Sequence, residues 1–239
     1  MPFRGSAAGA DGGCADPARR IGVLKITTRS YGPTEELLHS ALHVLGALAT
    51  LAGIYFLVIA GAASGDVWRA VGGAAFGVTA FLLFAASAFY HGTTDARIKN
   101  TFQKLDHSAI YLLIAGTYTA FTLGVMRDAW GFSLLAVVWV MAVFGIGSEF
   151  KDRTRKPVKS AVLYLGMGWL SVVSVKQLMT NLTPWQMEWL IAGGLAYTAG
   201  VPFYVWKSRA YTHVVWHVFV ILGVLCHFVA VLSVMNNRG

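Results

Sequence analysis

The chain has 239 residues, 56% of them hydrophobic and only 13% charged, with a mean hydropathy of +0.59. That is too apolar for an ordinary soluble domain of this length, so the composition indicates an integral membrane protein. The net charge of +8 does not call for a nucleic-acid partner, because its placement along the chain accounts for it.

Taken in chain order, the first 30 residues are rich in Gly and Ala, carry Arg4, Arg19, Arg20, Lys25 and Arg29, and offer no apolar stretch to serve as a signal-peptide core. Residues 1–32 are therefore expected to form a flexible cytoplasmic tail, and residues 33–239 a single membrane domain. Runs of about 20 mainly apolar residues can cross a hydrocarbon core as helices. Seven are expected: Leu37–Ala60, Trp68–Tyr90, Leu105–Val125, Trp130–Gly147, Ala161–Leu178, Trp189–Val205 and Val214–Met235. Glycines, Pro202 and short length dilute the fourth and sixth. The fold class expected is all-α, a seven-transmembrane helix bundle.

If the spans alternate, 15 Lys/Arg fall on the side of the N-terminal tail, against Arg69, Arg127, Lys176 and Arg238 on the other. The positive-inside rule then puts the N-terminus in the cytoplasm and the C-terminus outside a plasma (inner) membrane, with the basic face against anionic lipid. Of the two cysteines, Cys14 lies in the tail and Cys226 in the last span, so no disulfide framework is expected. Gly73-x3-Gly77 predicts close helix packing.

Ionisable side chains at membrane depth are costly and normally face a bundle interior or a wet cavity. His213-Val-Val-Trp-His217 sets two imidazoles at i and i+4, about 6 Å apart on one helix face, where one helix can offer two nitrogen ligands to one metal. The topology brings His91, at the end of the second span, to the same side. Ser87 lies one turn before His91, and Asp106 opens the third span. Three histidines with one open position is the donor set of a catalytic zinc, whose water Asp106 could orient or deprotonate. A second constellation, Glu36, His39, Ser40 and His43, begins the first span, and spacing alone does not decide which histidine pair holds a metal. His107 points about 100° from Asp106 and is left out. His227, about 15 Å past His217 along its helix, is expected to bond a neighbouring span.

Glu35-Glu36 with His43, Ser87-x3-His91, Lys104-Leu-Asp106-His107-Ser-Ala-Ile-Tyr111 running on to Ala115-Gly-Thr-Tyr118, and His213-Val-Val-Trp-His217 together resemble the hemolysin III family of bacterial membrane proteins. That family is similar to the progestin and adipoQ receptors and, more distantly, to alkaline ceramidases. The resemblance implies a seven-helix bundle with a zinc site near the cytoplasmic face, held by His91, His213 and His217 and accompanied by Ser87 and Asp106. It departs at His39, where a smaller polar residue is expected. The activity it implies is hydrolysis of a lipid amide or ester, with membrane lipids as partners. Two alternatives stand beside it: a non-enzymatic homeostasis or receptor-like protein with structural zinc, and a pore-forming cytolysin.

Overall fold

The structure, a computed structural model, describes residues 31–151 and 157–236. The expected tail lies outside the described residues up to position 30, as do Cys14 and Arg238. Regular structure among the described residues is wholly helical: α1 (Pro33–Ala63), α2 (Val67–Gly92), α3 (Ala96–Val125), α4 (Ala129–Lys151), α5 (Pro157–Trp169), a 3₁₀ segment (Leu170–Ser174), α6 (Val175–Asn181), α7 (Pro184–Val205) and α8 (Thr212–Asn236).

Six stretches are long and apolar enough to cross a membrane: α1 to α4, Pro157–Asn181 and α8. The all-α expectation holds. The sixth expected span does form a helix, α7, but it is not among those six, because Gln186 and Glu188 near its start and Gly193, Gly194, Gly200 and Pro202 further on reduce its apolarity. The fifth expected span is a composite of α5, the 3₁₀ segment and α6. Large apolar side chains such as Leu45, Phe144 and Met179 stand exposed on the outside, as suits a bundle whose solvent is lipid.

Helix starts follow local capping chemistry. Asp66 accepts from Trp68 N and Asp95 from Arg97 N and Ile98 N, each satisfying N–H groups that the first turn leaves free. Asp95 starts α3 nine residues ahead of the expected Leu105, so the basic stretch with Arg97, Lys99 and Lys104 is helical. Glu35, buried in the first turn of α1, accepts from Gly32 N at 3.0 Å and from Tyr211 N at 2.7 Å. The second bond ties α1 to the α7–α8 connection, where Tyr211 takes a left-handed φ of 61°.

α2 packs extensively on α1 and α3, α7 on α8, and α8 also reaches α1, α2 and α3. α3 is the most enclosed helix, with 78% of its most apolar stretch buried against 28% for α1 and α4. A Cβ on Gly73 would meet Leu57 and Met235, and one on Gly77 would meet Ile54. The expected close approach at this pair is therefore present, between α1 and α2. These contacts bring the last turn of α2 and the first turns of α1 and α8 together at one end of the bundle.

Candidate metal centre

Five imidazoles meet at that end. α2 delivers His91, α8 delivers His213 and His217, and α1 delivers His39 and His43 one turn apart on one face. All five are buried. Ligating atoms of His91, His213 and His217 lie within 4.8 Å of one another, and a second such group is formed by Glu36, His39 and His91. The ring of His43 is 4.0 Å from that of His217, and His39 sits between His91 at 4.4 Å and His217 at 4.9 Å.

The two constellations that the sequence separates are thus one cluster. Its hinge is Glu36: Oε2 accepts from His91 Nδ1 at 2.6 Å, while Oε1 accepts from Lys99 Nζ at 2.8 Å. A carboxylate on one ring nitrogen fixes the tautomer and aims the other nitrogen, which is how metal-ligating histidines are normally held. Lys99 also donates to Tyr90 O and Thr93 O, so its three protons join α1, the end of α2 and the start of α3. His39 Nδ1 stands 3.8 Å from Glu36 Oε2, beyond hydrogen-bond range.

His91 Nε2, His213 Nδ1 and His217 Nδ1 are buried without a hydrogen-bond partner among the described residues, as are both ring nitrogens of His39 and of His43. An unsatisfied buried polar group costs about 1–3 kcal/mol. So many in one place fit a cluster completed by an ion, and the residues present could hold one.

A cavity of about 20 Å³ adjoins the cluster, lined by His43, Ser87, Asp106, His107, His213 and His217 among others. That is room for about one water molecule among polar groups. It shares Leu83, Ile110, Trp216 and Val220 with a second cavity of about 330 Å³ that extends between α3, α5, α7 and α8 and is almost wholly apolar. His107, which the sequence sets aside, also faces Glu149, with Nδ1 at 3.5 Å from Oε2. His227 bonds Leu190 O of α7 at 3.2 Å, a neighbouring helix as expected.

Two groups outside the spans complete the electrostatics. Tyr31 stacks on His213 with ring centroids 5.1 Å apart and packs edge-on against His39 at 4.9 Å. Burial, then the neighbouring Tyr90, Glu36, Glu35 and Asp106, raise its phenol well above the usual tyrosine range, so it stays a neutral O–H donor. Burial lowers the Lys207 ammonium below its ordinary value, and the opposing pull of Asp106 does not fully offset this. Neither Tyr31 nor the Lys99 contact was marked by spacing, since each depends on how helices dock.

A family described as "Haemolysin-III related" matches residues 31–228, a stretch that contains every residue of the cluster. The chain belongs to the hemolysin III family. It is 38% identical over 198 residues to the Hemolysin-3 homolog of Bacillus subtilis (strain 168), covering 83% of this chain and 93% of that one. It is 36% identical over 208 residues to Hemolysin-3 of Bacillus cereus, covering 87% and 95%. The human Monocyte to macrophage differentiation factor is 27% identical over 180 residues, covering 70% of this chain and 72% of its own. This hemolysin III protein is therefore an integral membrane protein, with distant likeness to animal proteins through most of the bundle.

Proposed function

We propose that the protein is a zinc-dependent hydrolase of a lipid amide or ester, with His91, His213 and His217 as metal ligands, Asp106 as proton acceptor and Ser87 as hydrogen-bond donor to the reacting carbonyl oxygen. The observation that carries this reading is adjacency: a water-sized polar cavity at the histidine cluster adjoins a large apolar one. About 330 Å³ is within the range of small-molecule sites.

When bound, zinc would supply Lewis-acid polarisation of the carbonyl and acidify an adjacent water. Asp106 accepts the proton that water loses as its oxygen bonds the carbonyl carbon. The same carboxyl returns it to the leaving nitrogen or oxygen as that bond breaks. Ser87 Oγ donates to the carbonyl oxygen as charge grows on it. The apolar cavity keeps the acyl chain out of water, and the Glu36 contact orients His91.

The same reading makes α7 the sixth of seven crossings. With the basic residues inside, it puts the N-terminus in the cytoplasm, the C-terminus outside the plasma membrane and the cluster near the cytoplasmic face. A second reading, in which the ion only braces α2 against α8, draws support from the Glu36–His91–Lys99 network. The names of the bacterial relatives suggest cytolysis, but the apolar walls of the large cavity offer no polar conduit for a pore.

Bound metal is measured in purified wild type and His213→Ala, followed by product analysis on a panel of lipid amides and esters. Wild type should hold about one zinc per chain and His213→Ala much less, with product formed only by the metal-loaded protein. Asp106→Asn should retain metal and lose turnover by about 10²- to 10⁴-fold. Metal without turnover on any lipid supports the bracing reading, and turnover without metal overturns the mechanism.

A further inference from the structure

Three histidines and one open position complete the donor set of the proposed zinc, yet the cluster holds five imidazoles. His39 is the additional one that also approaches a carboxylate. It is fully buried, and neither of its ring nitrogens has a hydrogen-bond partner among the described residues. Its ring lies between those of His91 at 4.4 Å and His217 at 4.9 Å. A buried imidazole with neither nitrogen satisfied is costly to keep.

Ligating atoms of Glu36, His39 and His91 lie within 4.8 Å of one another. Glu36 Oε2 is 2.6 Å from His91 Nδ1 and 3.8 Å from His39 Nδ1. Ligands on neighbouring corners of a zinc tetrahedron are about 3.3 Å apart, so the two spacings bracket that value and small side-chain shifts make them equal. Atoms this close leave no gap for water, and an ion needs none, because it sits among its ligands at about 2 Å from each. His91 can serve this group through Nδ1, which faces Glu36, and still keep Nε2 for His213 and His217.

Access distinguishes the two groups. Glu36 has 21% of its side chain exposed, whereas all five histidines are buried, and Tyr31 covers the rings of His39 and His213. An ion arriving from water meets the carboxylate first, and the negative charge attracts it before any imidazole can coordinate. Lys99 Nζ, 2.8 Å from Glu36 Oε1, competes for the same charge, so this group captures an ion without holding it tightly.

We propose that Glu36, His39 and His91 form a second divalent-cation position, an outer one from which the ion passes to His91, His213 and His217. In the outer position the ion replaces the proton between His91 Nδ1 and Glu36 Oε2, and that proton leaves to water along the exposed edge of the carboxylate. On transfer the ion is taken up on the Nε2 side of His91, and Nδ1 regains a proton from water. His39, packed against His91 and His217 with both nitrogens unpartnered, holds the ion between the two sets. The outer position stands on its own three ligands, while the transfer rests on the three-histidine reading above.

The test is zinc binding by the metal-stripped, full-length protein in detergent, followed with a fluorescent zinc indicator. His213→Ala combined with His217→Ala removes the inner set and should still leave one added zinc bound per chain, more weakly than in wild type. Adding His39→Asn to that pair should abolish the binding. His39→Asn alone should slow zinc uptake and zinc release alike, each by about tenfold, the lower end of what losing a group beside a metal costs. The dissociation constant, which is their ratio, should then stay at the wild-type value. Faster release with unchanged uptake would make His39 a brace for the inner ligands and overturn the inference, and unchanged rates would overturn it too. A double variant that binds no zinc removes the outer position and leaves the three-histidine reading standing, whereas zinc held equally tightly by wild type and double variant does the reverse. Should the double variant fail to fold, the rates of His39→Asn decide.

Discussion

Replacing Glu36 by Gln tests the centre at its least obvious member. The substitution keeps the volume of the side chain and one acceptor oxygen, but removes the charge that faces His91 Nδ1 at 2.6 Å and Lys99 Nζ at 2.8 Å. A hydrogen bond to a charged group contributes about 1.5–3 kcal/mol and a neutral one about 0.5–1.5 kcal/mol. The difference, about 1–1.5 kcal/mol, corresponds to a metal dissociation constant larger by up to about tenfold. Glu36→Ala, which also frees the ring to rotate, should approach a hundredfold, the upper end for groups that orient metal ligands. The side chain of Lys99 is 29% exposed and can turn to water, so its lost partner adds little. Competition between the purified protein and a chromogenic chelator measures the constant, with Asp66→Asn, at the opposite end of α2, as control. Wild-type affinity in both Glu36 variants would show that His91 is not held by Glu36 for metal binding.

Gly193→Val should destabilise the fold by about 1–3 kcal/mol through overpacking against the His227 ring, seen as a lower thermal midpoint in detergent with little change in metal content. Asp66 gives a pH prediction. Desolvation raises its carboxyl, but the Arg127 hydrogen bond, the Trp68 N–H and the charges of Arg127 and Arg69 prevail and hold it below its usual value. A depressed carboxyl stabilises the fold fully above its unfolded pKa of about 4, and that contribution is lost as pH falls through the folded value. At this surface site, solvent screening keeps it under about 1 kcal/mol. Arg127→Met should therefore lower the thermal midpoint slightly at neutral pH, and the difference from wild type should close in strong acid.

The grouping of the histidines was legible because spacing and topology suffice for it: His213 and His217 share a helix face, and the even number of crossings expected between His91 and His213 puts them at the same end, where the structure has them. Glu36 was legible only as part of a stripe with His43. Its bond to His91 depends on how far α1 is rotated against α2, which no one-dimensional period encodes. Lys99 lies outside the expected third span because the apolar run starts at Leu105, whereas the Asp95 cap starts the helix earlier at Ala96. The 3₁₀ segment from Leu170 to Ser174 is hidden in an apolar run, since hydropathy does not register a change of backbone hydrogen-bond partner. In α7, the glycines that weakened the span are the ones that let α8 dock: Gly193 makes room for His227 and Gly200 for Trp216 and Phe219. Low apolarity and tight packing there have one cause.

The bond from Glu35 to the Tyr211 N–H joins positions 176 apart, tying α1 to the turn that precedes α8. Until that turn arrives, Glu36, His39 and His91 stand together without His213 and His217 beside them. Under the proposed reading, a polypeptide ending before Thr212 would lack two of the three proposed ligands and keep only the Glu36–His39–His91 group.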